Sequence, residues 1–236
     1  MAFAQGRARW QRLMQQSGAS DNLDTFEQLM SAYDEPHRFY HTAEHIAACL
    51  QAFDRVRDLA KFPAEVELAL WFHDAVYDVR SSTNELDSAQ WAVQFLKNAG
   101  GQSRAWWEEP STQDGGDGED EGDGGVDFLA ISPQRVYDHV LATAHLVSSA
   151  DLSGDSALVV NTDLTILGLP PAIYDQFEAN IRREYQHVPI DRYRQKRREV
   201  LEYFLQQPEI FSIAYFRDRY EAVARRNLAG AIAALS

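Results

Sequence analysis

The chain has one cysteine, Cys49. No internal disulfide can form, which suits a reducing compartment and an expected cytoplasmic location. No uninterrupted apolar run approaches the roughly 18 residues of a membrane span, and no membrane partner is expected. The N-terminal stretch MAFAQGRARWQRLMQQ has neither the apolar core nor the cleavage site of a secretory signal, so it reads as a helix of the mature protein. Catalytic signatures are also sparse. A GxSxG elbow, a Gly-rich phosphate loop, HExxH and CxxC are all missing. A cysteine nucleophile would have to be Cys49, and its apolar helical setting, HIAACL, leaves a thiol unreactive. It reads as a small buried hydrophobe.

Basic residues are scarce as well, and the net charge is −14. Most of that charge is local: from Glu108 to Asp127 there are nine acids and no base, so the rest of the chain carries about −5. A mildly acidic body argues against wrapping nucleic acid, whose phosphates need clustered Lys and Arg. It leaves room for a small phosphorylated substrate held through a metal ion. The segment STQDGGDGEDEGDGG (111–125) combines glycine with like charge and cannot bury apolar surface. It predicts a mobile acidic, Gly-rich insertion at about 108–127, and its acids lack the spacing of a calcium loop. Hydrophobic residues at 45% and charged residues at 25% are ordinary for a globular protein. A length of 236 residues suits one domain, 1–236.

Strand signals are lacking too. No alternating β-branched run of strand length occurs, and the flanks of "LVV" at 158–160 continue with helical spacing. The periodicity predicts helices over roughly 4–17, 22–33, 40–60, 64–77, 84–99, 133–148, 155–167, 171–186, 189–206 and 212–234. Pro63, Pro133 and Pro171 stand where first-turn prolines belong, and Gly100 and Gly168 stand just past helix ends. The fold class is all-α.

Against this apolar background some polar residues fall on core faces. Asp163 has Val159, Val160, Ile166 and Leu167 as helical neighbours. An ionised carboxylate there is costly unless it is paired or bound to a cation; the equal alternative is a helix that ends early and leaves Asp163 as a cap. In ALWFHDAVYD, His73 follows Val66, Ala69 and Leu70 on the core side, and Asp74 lies about 100° round the helix. His37, His41 and His45 recur every four residues and share a face if their helix extends that far back. His45 is the most internal of the three. His145, after Leu141 and Ala142, also points inward, whereas His139 and His187 read as structural or surface residues.

The ordered set RFYHTAEHI, ALWFHDAVYD, NELDSA, ATAHL and NTDLTILG, with the later IRREYQHV and KRREVLEYFLQQPEIF, resembles the HD superfamily of metal-dependent phosphohydrolases. The resemblance covers about Asp21 to Phe216, broken by the acidic insertion. It implies an HD-domain-like helical bundle with N- and C-terminal helical extensions. It also implies a divalent cation held by His45, His73, Asp74 and Asp163, with Mg, Mn, Fe, Co, Ni or Zn chemically admissible. Such an ion would polarise a phosphoryl oxygen and acidify a bound water. Within this frame Asp74 both ligates and orients the water, and Glu85 or its rival Asp78 serves as general acid/base. Each has a plain structural role as alternative: Glu85 as a first-turn helix acid, Asp78 as a turn residue. Arg38 and Arg197 are candidates for holding substrate phosphate, or else make structural ion pairs. His41 and His145 are further substrate-side candidates and bear on a second metal. One departure is Asn161, where the subgroup resembled carries aspartate two residues before the last ligand. The function so implied is hydrolysis of a small phosphate ester or nucleotide. The alternatives are a di-iron oxygenase on the same scaffold, or a non-catalytic metal-containing module that binds a nucleotide or partner.

Overall fold

The computed structural model describes residues 3–17, 23–99, 131–144 and 152–235. The acidic insertion at 108–127 and His145 lie outside the described residues. The all-α expectation holds: the described residues form ten α-helices and three short 3-10 turns, with no strand among them. The helices are α1 (Phe3–Gln16), α2 (Leu23–Tyr33), α3 (Ala43–Asp54), α4 (Pro63–Phe72), α5 (Asn84–Ala99), α6 (Pro133–Leu141), α7 (Gly154–Asp163), α8 (Pro171–Glu184), α9 (Ile190–Gln206) and α10 (Ala214–Ala234). No single helix among the described residues is long and apolar enough to cross a membrane.

α4 is the hub. Glu65 through His73 are all buried, because α1, α3, α5, α6 and α7 surround the helix. A helix apolar all round belongs in a core rather than at a surface. Its two acids are neutralised in place: Glu65 takes a bidentate pair from Arg135 at 2.6 and 2.7 Å, and Glu67 is paired with Arg9 and Arg57. Without such partners buried carboxylates would be strongly destabilising. α1 closes one side, with Trp10 edge-on to Trp71 at a 5.7 Å centroid separation.

Four helices are shorter than their periodicity predicts, those of 40–60, 64–77, 133–148 and 155–167, and side chains explain the first two. The run 64–77 stops being helical at Phe72. Beyond it Arg38 donates to the Asp74 carbonyl at 2.6 Å and the Ala75 carbonyl at 3.1 Å. Those oxygens would otherwise accept from the next helical turn, so the guanidinium satisfies them and frees the chain to turn. The run 40–60 begins as a helix only at Ala43, because one oxygen of Glu184 accepts the N–H groups of Phe39, Tyr40 and His41 at 2.7, 2.7 and 3.1 Å. His37 and His41 are therefore not on the His45 helix, and the face expected from their four-residue spacing does not form.

The connection between α9 and α10 is tied to α7. Asn161, fully buried, donates to the Ser212 hydroxyl and accepts from the Ile213 N–H at 3.0 Å. The departure noted in the sequence is thus a structural tie. α10 packs on the 3-10 turn Leu164–Gly168, where a Cβ on Gly168 would lie 2.8 Å from the Tyr220 Cα.

Candidate metal centre

Three chain segments deliver polar side chains to one buried spot. His45 sits in the first turn of α3, His73 caps the C-terminus of α4 with Asp74 next in line, and Asp163 ends α7. Asp163 is the last α-helical residue, so its helix ends early, yet its carboxylate makes no capping hydrogen bond to the 3-10 turn that follows and turns instead to His45 and His73. His45 Nε2 lies 3.1 Å from His73 Nε2, 3.1 Å from Asp163 Oδ1 and 3.4 Å from Asp74 Oδ2. His73 Nε2 lies 3.2 Å from Asp74 Oδ2 and 3.6 Å from Asp163 Oδ1. Two donors bound to one first-row cation at about 2.1 Å stand roughly 3.0–3.5 Å apart, so the separations fit a single ion with little adjustment. His45, Cys49, His73 and Asp163 form a group whose ligand atoms all lie within 4.8 Å of one another.

The tautomer of His73 follows from its other nitrogen. Nδ1 lies 3.0 Å from the Leu70 carbonyl, which can only accept, so Nδ1 carries a hydrogen and Nε2 is the nitrogen turned to the cluster, able to take either a proton or a metal ion. Burial disfavours the charged form of His73, but Asp74 and Asp163 outweigh it and hold its pKa well above the ordinary histidine value. At His45 burial again opposes the charge; the Cys49 sulfur, the Tyr40 hydroxyl and hydrogen bonds to Asp163 and Asp74 overcome it, and the pKa is again raised. Burial would push the two carboxylates up, yet the imidazoles draw both well below the carboxylate range. The site thus holds two negative charges that demand either protons on the histidines or a cation.

The imidazoles are sealed, with side chains 4% and 1% exposed, while Asp74 and Asp163 are 19% and 17% exposed. These two acids open onto a cavity of about 420 Å³. His41, Glu85 and Arg197 line the same cavity. His41 Nδ1 lies 2.7 Å from Glu184 Oε2, and Tyr77 donates to that oxygen at 2.8 Å. Burial would raise the Glu184 carboxyl, but the His41 contact and the Tyr40 and Phe39 N–H groups hold its pKa down to about 2. An ionised Glu184 fixes Nδ1 of His41 as the donor, leaving Nε2 as the ring's second nitrogen.

The remaining expected site residues divide. Glu85 lines the cavity as anticipated. Asp78 does not: it is exposed, accepts from the Arg80 N–H at 2.9 Å, and borders a separate groove. Arg38 does not line the cavity either, since Nε, Nη1 and Nη2 are engaged by Glu35, the Asp74 carbonyl and the Ala75 carbonyl. Arg197 reaches the wall but bonds Glu178 in a two-pronged pair at 3.0 and 2.7 Å. Sequence reasoning missed Glu184 and the placement of Cys49. Glu184 had one signal, an acid in the last turn of a helix, where the dipole disfavours it.

No protein-family model, curated protein or solved structure matches this chain. The resemblance to the HD superfamily therefore rests on the residues quoted above. The fold and site define a class: an all-helical protein with a buried His/Cys/His/Asp group that can hold a metal ion.

Proposed function

We propose that this chain is a metal-dependent phosphohydrolase of HD type that cleaves a small phosphate ester or nucleotide. One observation carries the reading: Asp74 and Asp163 belong both to the ligand cluster and to the wall of the 420 Å³ cavity. A cation among them would face whatever occupies that space. His45, His73, Asp74 and Asp163 would hold it. Bound there, it supplies Lewis acidity toward a phosphoryl oxygen and toward water.

The chain's own residues divide the remaining work. Asp74, the more exposed ligand, can accept a hydrogen bond from an attacking water and so orient it. His41, anchored by Glu184, presents Nε2 to the cavity, where it can bond a phosphoryl or leaving-group oxygen. Glu85 offers a second carboxylate on the same wall. Ile166, Phe177, Ile181, Leu201 and Phe204 make the opposite wall apolar and suit the organic part of an ester.

The test is protein stripped of metal, reloaded with single divalent ions and offered a panel of phosphomonoesters and nucleotides. Phosphate release should return with at least one ion, and Asp163→Asn should abolish it. Failure of every ion to restore release on any member of the panel would sink the proposal.

A further inference from the structure

The geometry points to Cys49 as a sulfur donor to the same cation, which makes the centre prefer a thiophilic first-row ion, zinc, iron(II) or cobalt(II), over magnesium. This rests on the metal centre proposed above and not on the reaction assigned to it. Cys49 follows His45 by four residues on α3, so both side chains lie on one helix face. Two ligands at that spacing can grip one ion from a single helix, as the paired histidines of helical zinc motifs do. The Sγ lies against the His45 ring, 3.7 Å from Nε2 and 3.8 Å from Nδ1. Sulfur and nitrogen bound to one tetrahedral ion at about 2.3 and 2.1 Å stand roughly 3.6 Å apart, so the sulfur is within reach and a turn of the Cys49 side chain toward Nε2 would complete the pair. The sulfur also shares the 4.8 Å grouping with His73 and Asp163, whose positions were set by other helices.

The imidazoles supply the independent pointer to a ligand. His45 and His73 are both more than nine-tenths buried, and their Nε2 atoms face each other at 3.1 Å. The Leu70 carbonyl takes the Nδ1 hydrogen of His73, so Nε2 is the atom that ring offers to the cluster. Two buried ring nitrogens facing each other call for a proton or a cation between them, and Cys49 borders that spot. Hard oxygen donors alone suit magnesium, whereas imidazole with thiolate suits zinc, iron and cobalt. On coordination the thiol proton passes to solvent as the metal–sulfur bond forms. The rival role for Cys49 is as a passive acceptor for His45 Nδ1, which lies 3.8 Å from the sulfur.

Cobalt(II) titration of metal-stripped full-length protein separates these roles. The expected result is one cobalt per chain with an intense near-ultraviolet sulfur-to-cobalt charge-transfer band alongside the visible ligand-field bands. In Cys49→Ser and Cys49→Ala the charge-transfer band should vanish while cobalt still binds, and the zinc-to-magnesium affinity ratio should fall about tenfold or more. Stoichiometric cobalt in the wild-type protein without the charge-transfer band overturns the sulfur donor and leaves the centre standing. No cobalt bound at all overturns the centre as well. The wild-type spectrum decides even if neither variant folds.

Discussion

Two imidazoles 3.1 Å apart in a sealed space, flanked by two ionised carboxylates, make protons and metal competitors for the same positions. Both histidines have raised pKa values, so their charged forms stabilise the metal-free fold below the ordinary histidine value of about 6.5. That contribution is lost as pH rises through the folded values. Asp74 and Asp163 are lowered, so their contribution is present above about 3.9 and lost as pH falls through their folded values. Metal must displace the histidine protons, so its affinity should rise with pH until the raised folded values of His45 and His73 are passed, and level off beyond them. Calorimetric titration in buffers of different ionisation enthalpy should show proton release on binding; pH-independent binding without release would contradict this charge balance. Several site residues were legible in the sequence because a polar side chain on an apolar stripe conflicts with its helix. Cys49 produced no such conflict, since cysteine reads as a hydrophobe. Arg38 stays open in the sequence between a phosphate contact and a structural pairing, because a sequence does not show which carbonyls will face a guanidinium; the structure has the structural role.

Helix ends, not helix middles, set the geometry of the centre. The helices that the periodicity predicts are all present, but those of 40–60 and 64–77 are trimmed by contacts from residues far along the chain. Glu184 holds Phe39–His41 and Arg38 holds the Asp74 and Ala75 carbonyls. No local pattern records a partner 36 residues away, as for Arg38 and Asp74, or 145 away, as for Phe39 and Glu184. Arg38→Ala would leave buried carbonyls unsatisfied and release the turn that aims Asp74. We expect a loss of about 3 kcal/mol in denaturant unfolding together with weaker metal binding; unchanged stability would show that the clamp is dispensable. At the other end of the site, Gly168→Ala places a methyl against Tyr220 of α10. A loss of about 1–3 kcal/mol is expected there, with metal stoichiometry retained, since the clash lies between the 3-10 turn and α10. Wild-type stability in that variant would mean the close approach is not required.

For the whole molecule, the ligands come from positions 45, 73 and 163 on three helices that all touch one another around α4. A cation among them binds the folded chain alone and so stabilises all of it. At a free metal concentration about 1,000 times its dissociation constant, the gain is about 4 kcal/mol, which for a chain of this size is roughly 10 °C in Tm. Chelator should therefore lower Tm by that order in a scan of the metal-loaded protein, and Asp163→Asn should remove most of the difference. The class of fold was readable because burial is periodic along a helix, whereas the ligand set came from the family resemblance, and His45, His73 and Asp163 of that set fall in one group that could hold a metal ion. The cavity was not readable, because its lining is drawn from α7, α8, α9 and the loop after α4, and no segment of sequence contains it.

A single cation held among these side chains would show in an anomalous-difference map from crystals of the metal-loaded protein. One strong peak is expected within about 2.0–2.3 Å of His45 Nε2, His73 Nε2 and a carboxylate oxygen of Asp163. A map with no peak among those atoms, from protein shown to contain metal, would contradict it.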